Sequence, residues 1–138
     1  MEVKKLVASG LVSAVIIFVV SFAVDFVVQR IPGFSYNVLS LGGMRPINDP
    51  VMILFFLHPV VLGFALAIVF AKLGRAFKGS AVERGKNFGL LMWLVAGLPS
   101  AWIVFSSMNY PVGFTINSVV AGAVYFVLAG IMLAKLNP

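Results

Sequence analysis

Four apolar runs set the limits on what this chain can become. They are LVASGLVSAVIIFVVSFAVDFVV (6–28), VMILFFLHPVVLGFALAIVFA (51–71), FGLLMWLVAGLPSAWIVFSSM (88–108) and FTINSVVAGAVYFVLAGIMLA (114–134). Each matches the ~20 residues an α-helix needs to cross a bilayer's hydrocarbon core. Inside lipid no water is available to bond N–H and C=O groups, so each segment must satisfy its own backbone, and a helix does so. The sequence therefore predicts an all-α integral membrane protein. It would be a single four-helix transmembrane bundle over 1–138, up-down in topology, with helices at about 6–28, 51–72, 81–108 and 114–135. Composition agrees. Hydrophobic residues make up 62% and charged residues 10%, too little polar surface to cover a soluble core.

Basic residues orient the bundle. Lys4 and Lys5 precede the first run, Lys135 follows the last, and Lys72, Arg75, Lys78, Arg84 and Lys86 fall in the 72–87 loop. Only Arg30 and Arg45 of the ten basic residues fall in the 29–50 loop. Such asymmetry places both termini and the 72–87 loop in the cytoplasm of a multi-pass cell-membrane protein, with 29–50 outside. The start also has the basic head and apolar run of a secretory signal, with Ser21-Phe22-Ala23 resembling a cleavage site. The run is long for a signal, so it reads as a first helix.

Local signals mark the ends. Asp49-Pro50 puts a capping acid before a proline at the start of the second helix. Ser80 and Glu83 form a capping box, so the third helix should begin near residue 81. The stretch 109–113, NYPVG, is a tight turn that makes the last two helices neighbours. Small residues should mark the contacts, because lipid gives helices no hydrophobic reason to associate. Gly10 and Ala14 share one face of the first helix with Ser21 and Asp25. Gly89, Trp93 and Gly97 share a face of the third, and Gly122 and Ala129 one of the fourth. The second helix has Gly63 and Ala67 on one side and His58 and Ala65 on the other, so neighbours are expected on both sides.

Polar residues within the runs gather in the outer half. Pro59 and Pro99 lie at matching depth, each freeing a carbonyl four residues earlier, and predict kinks. Two kinks at one depth would splay the helices around an outward-facing crevice lined by Asp25, His58, Ser100, Ser107 and Asn117. Intramembrane ionisable residues mark functional sites by default. The competing reading pairs Asp25 with Arg30 or Arg45 and leaves His58 as a neutral ring bonded across the bundle. Asp49 is the other outer acid.

The 29–50 loop is long for so small a protein and carries Phe34, Tyr36, Val38, Leu39 and Leu41, so it reads as a partly ordered cover over the bundle's outer mouth. It holds GFSYNVLSLG (33–42), which matches GFTINSVVAG (113–122) in its Gly, Phe, hydroxyl, Asn and Gly positions. Shared helix-start chemistry accounts for both copies, with Thr115 or Asn117 capping the fourth helix. An ancient duplication is the alternative.

The chain has no cysteine and one histidine, which removes disulfides, thiol nucleophiles and multi-histidine metal sites. There is no Gly-rich phosphate loop or metalloprotease motif and no nucleophile elbow. No metal and no cofactor are expected. The net charge of +6 flanks the runs, so Lys72, Arg75, Lys78, Arg84 and Lys86 point to anionic lipid, and no nucleic acid is expected. The leading expectation is a non-enzymatic structural or accessory subunit, or a homo-oligomer, in the lipid bilayer. A small transporter or channel built on Asp25 and His58 is the alternative, and a membrane-embedded enzyme or lipid-binding protein is the third.

Overall fold

The structure is a computed structural model that describes residues 2–137. Every regular element in it is helical. The helices are α1 (Val3–Val28), α2 (Met52–Leu73), α3 (Ala81–Met92), α4 (Leu98–Ser107) and α5 (Val112–Leu136). One π-turn, Trp93–Gly97, joins α3 to α4. The four resulting spans are each long and apolar enough to cross a membrane.

Capping chemistry sets the start of α3. Ser80 Oγ accepts the Glu83 N–H at 3.3 Å, and the Glu83 carboxylate accepts the Ser80 N–H at 2.8 Å, so α3 opens at Ala81 as its capping box requires. At α2 the expectation fails: the helix starts at Met52, past Pro50, its N-cap Val51 makes no side-chain cap, and Asp49 Oδ1 instead accepts the Val51 N–H at 2.8 Å in the turn before it. The last helix departs from expectation. It starts at Val112, immediately after Pro111, so Thr115 and Asn117 lie inside it and cap nothing.

The prolines act differently from one another. α2 runs unbroken through Pro59. At Pro99 the helix answers one turn upstream: the Leu98 N–H bonds to the Trp93 carbonyl, five residues back. The widened turn keeps the chain helical where Pro99 cannot donate to Val95.

Packing follows the glycines. A Cβ on Gly89 would strike the backbone of Phe126 and Val127, and one on Gly85 the backbone of Gly130 and Ile131. Contacts thus descend α3 as they climb α5, with backbones touching, as small residues allow in membranes. α1 lies against both α2 and α5. A Cβ on Gly63 of α2 would come within 2.6 Å of the Gly10 carbonyl and the Ala14 amide. The core joins Ile17, Leu66, Ala67, Phe70, Phe88, Phe126 and Leu133, with Phe70 and Phe88 edge to face at 5.0 Å.

Trp93 is half-buried against α5: its Nε1 donates to the Val119 carbonyl at 3.2 Å and its ring lies on Gly122. By contrast α4 packs little, and Trp102 on it is 72% exposed. On α2 the Gly63–Ala67 side is buried and the side bearing His58 and Ala65 is open.

Candidate functional site

The polar site lies at the end of the bundle that carries the 29–50 loop. Asp25, three residues before the end of α1, presents Oδ1 to three donors: the Tyr36 hydroxyl at 2.8 Å, Asn117 Nδ2 at 3.2 Å and Gln29 Nε2 at 3.4 Å. Asn117 Nδ2 also donates to the Tyr36 hydroxyl at 2.7 Å. The Tyr36 amide donates to Gln29 Oε1 at 2.9 Å. All four residues are half-buried. The result is a closed polar ring that ties α1, α5 and the loop together.

Asn117 lies in the second turn of α5 and meets Asp25 where α5 packs against α1. Tyr36 is delivered by a chain reversal at Gly33, whose φ of +83° is one that glycine accepts without strain. Burial first, and then the hydrogen bond to the Asp25 carboxylate, push the Tyr36 phenol well above the ordinary tyrosine range. It stays a neutral donor at any physiological pH.

The two matching stretches of sequence meet here. Gly113 abuts the Phe34 carbonyl so closely that a Cβ would collide with it. The Tyr36 ring meets Phe114 edge on at 5.7 Å, and Tyr36 bonds Asn117. GFSYN therefore lies upon GFTIN. The local roles differ, since Asn37 caps a short 3₁₀ turn, Val38–Ser40, by accepting the Leu39 N–H at 3.1 Å, whereas Asn117 sits within α5. The Tyr110 hydroxyl, donating to the Gly42 carbonyl at 3.1 Å, fastens the far side of the loop.

Of the five residues expected to line one crevice, Asp25 and Asn117 come together. Three do not join them. His58 is exposed on the open side of α2. Ser100 is exposed and returns its hydroxyl to the Ala96 carbonyl at 2.6 Å, and Ser107 donates to the Ile103 carbonyl of its own helix. The physical reason is that α2 buries its glycine side, which turns His58 outward. Helical serines meanwhile have a carbonyl four residues back within reach.

Neither arginine pairs with Asp25. Arg30 donates to the Phe26 carbonyl at 2.7 Å and lies over the Phe26 ring, 3.2 Å from its centroid. Arg45 pairs with Asp49 at 2.9 Å. The Asp49 carboxyl is held below the usual range, first by the Val51 amide and then by Arg45.

Two members of the site, Gln29 and Tyr36, escaped the sequence reading. Gln29 was legible as the residue one turn after Asp25. Tyr36 was not, because nothing in a loop's sequence says which way it folds back. One group in the site lacks a partner: Asn117 Oδ1 is buried beside the carboxylate without a donor.

At the opposite end, where α1 begins and α5 ends, Arg84 Nη2 donates to the Asn137 carbonyl at 3.4 Å and Asn137 Nδ2 to Ser9 Oγ at 3.0 Å. Among the described residues no cluster of three metal-ligating side chains forms. No protein-family model, curated protein or solved structure matches the sequence.

Proposed function

We propose that this chain is a structural membrane protein that acts by self-assembly rather than by chemistry of its own. In this reading the spans run up and down across the cell membrane, with both termini and the 72–87 loop cytoplasmic and the 29–50 loop outside. The observation that carries it is His58, a polar ring on an open apolar side of α2, among Leu54, Val61 and Ile68, all exposed. A polar group facing hydrocarbon is costly until it finds a partner. Neutral imidazole carries one donor and one acceptor, so His58 of one copy can bond His58 of another across a twofold axis, in a self-complementary contact. Ala65, one step further along that side, permits close backbone approach.

Absence of cysteine makes the test clean. Ala65→Cys alone should yield an oxidised dimer in membranes, whereas Val95→Cys, exposed on the π-turn, should not. His58→Leu should weaken the dimer by about 1–2 kcal/mol, the worth of an interhelical hydrogen bond in model peptides. A chain that stays monomeric with cysteine at 65 refutes the reading.

A second reading, a small transporter, has its own support in the unpartnered Asn117 Oδ1 beside the Asp25 carboxylate, an acceptor-rich pair of the kind that takes a proton or cation. Tyr36 would be its plug. It is distinguished by Asp25→Asn, which would abolish flux while leaving the dimer intact.

A further inference from the structure

We infer that the chain carries an anion site for a phosphate ester at the end where its termini and the 72–87 loop gather. A cavity of about 350 Å³ opens there, lined by Glu2, Lys5, Phe70, Arg75, Arg84 and Asn137. These residues come from the starts of α1 and α3, the last turn of α2 and the turn after it, and the end of α5, so the cavity exists only in the assembled bundle. Among the described residues the lining holds three cations and one carboxylate, a local positive excess. Arg84 sets the chemistry. Its Nη2 holds the Asn137 carbonyl at 3.4 Å, while its Nε is buried without a partner.

A buried, unsatisfied charged donor is costly, and the Nε edge of a guanidinium is the geometry that grips phosphate oxygens in pairs. Lys5 and Arg75 are exposed on the rim, able to reach the same anion as flexible point charges. Phe70 and Ala71 supply an apolar wall beneath. Basic pockets between spanning helices at this level take anionic headgroups. The same donors would take a free phosphate, and the ligand class is a phosphate carrying net negative charge in either case. The site is separate from the His58 side of α2 and does not rest on self-assembly.

The test is native mass spectrometry of the full chain in mild detergent, with phosphatidylglycerol or phosphatidylcholine added. The wild type should retain one phosphatidylglycerol at least roughly tenfold better than phosphatidylcholine, the effect of a charge-assisted contact. Arg84→Gln should remove that preference. If Arg84→Gln fails to fold, Lys5→Gln and Arg75→Gln, both exposed, carry the test and should each reduce retention several-fold. Lys78→Gln, at the same end but outside the cavity, should leave it unchanged. Displacement by inorganic phosphate would identify a free phosphate as the occupant, and persistence against it would identify the lipid headgroup. Equal retention of the two lipids, or equal loss in Lys78→Gln, overturns the inference.

Discussion

Asp25 Oδ1 is the acceptor on which the loop's attachment depends, since Tyr36, Asn117 and Gln29 all donate to it. Alanine at this position would strand three donors at once, each costing about 1 kcal/mol at half burial. Asparagine keeps an acceptor oxygen and should cost much less. Limited proteolysis of the 29–50 loop should therefore rank Asp25→Ala fastest, then Tyr36→Phe, then Asp25→Asn. Equal rates for all three would mean that the ring does not hold the loop. The phenol adds a pH dependence. Its folded pKa is raised, so its contribution to stability is complete below the ordinary tyrosine value of about 10. That contribution is lost as pH rises beyond it, because the released loop then ionises first. Loop cleavage should accelerate in alkali, and Tyr36→Phe should abolish the Tyr36 share of that acceleration.

Elements meet through glycine, and the interfaces differ in how much they can give. At Gly89 a new methyl would strike the backbone of Phe126 and Val127, which cannot swing aside as a side chain can. Gly89→Ala should separate α3 from α5 and destabilise the fold by about 1–3 kcal/mol, the usual range for overpacking. Gly42→Ala, with open space around it, should change stability by less than about 0.5 kcal/mol. Thermal unfolding in detergent measures both, and indistinguishable midpoints would contradict the packing. This is also the scale that shows what the sequence could reveal. The spans, the capping box at Ser80 and the glycine face of α3 follow from local rules of length, caps and side-chain size. The polar site follows only in part: Asp25 and Asn117 were expected in one crevice and do meet, but which other residues join them depends on which helix faces are buried. Burying Gly63 against Gly10 and Ala14 turns His58 away. No local pattern decides which side of α2, each with a small residue, is taken first. The likeness of GFSYN to GFTIN was visible, but their contact required the loop's fold.

The whole molecule has two unlike ends, and this asymmetry gives orientation its physical content. At one end Lys5, Arg75 and Arg84 gather around a cavity, with Lys72 and Lys78 exposed nearby. At the other, the cations are quieted: Arg45 pairs with Asp49, and Arg30 lies on Phe26 and its carbonyl. Pairing and cation–π contact lower the free charge that the 29–50 loop presents, whereas the cavity end presents more than its share. Retention of free Lys and Arg on the cytoplasmic side is the basis of the positive-inside rule, and anionic lipid in that leaflet adds about 1 kcal/mol for each basic residue near its surface. Single cysteines in this cysteine-free chain can read the result directly. Ser40→Cys, exposed in the 3₁₀ turn of the loop, should react with a membrane-impermeant maleimide on intact cells. Lys78→Cys should react only after the membrane is opened, and so should the same cysteine in a chain whose Arg30 and Arg45 are both glutamine. Labelling of cysteine at 78 from outside would reverse the orientation and move the phosphate site to the outer leaflet, while leaving its donors and the Asp25 ring as they are.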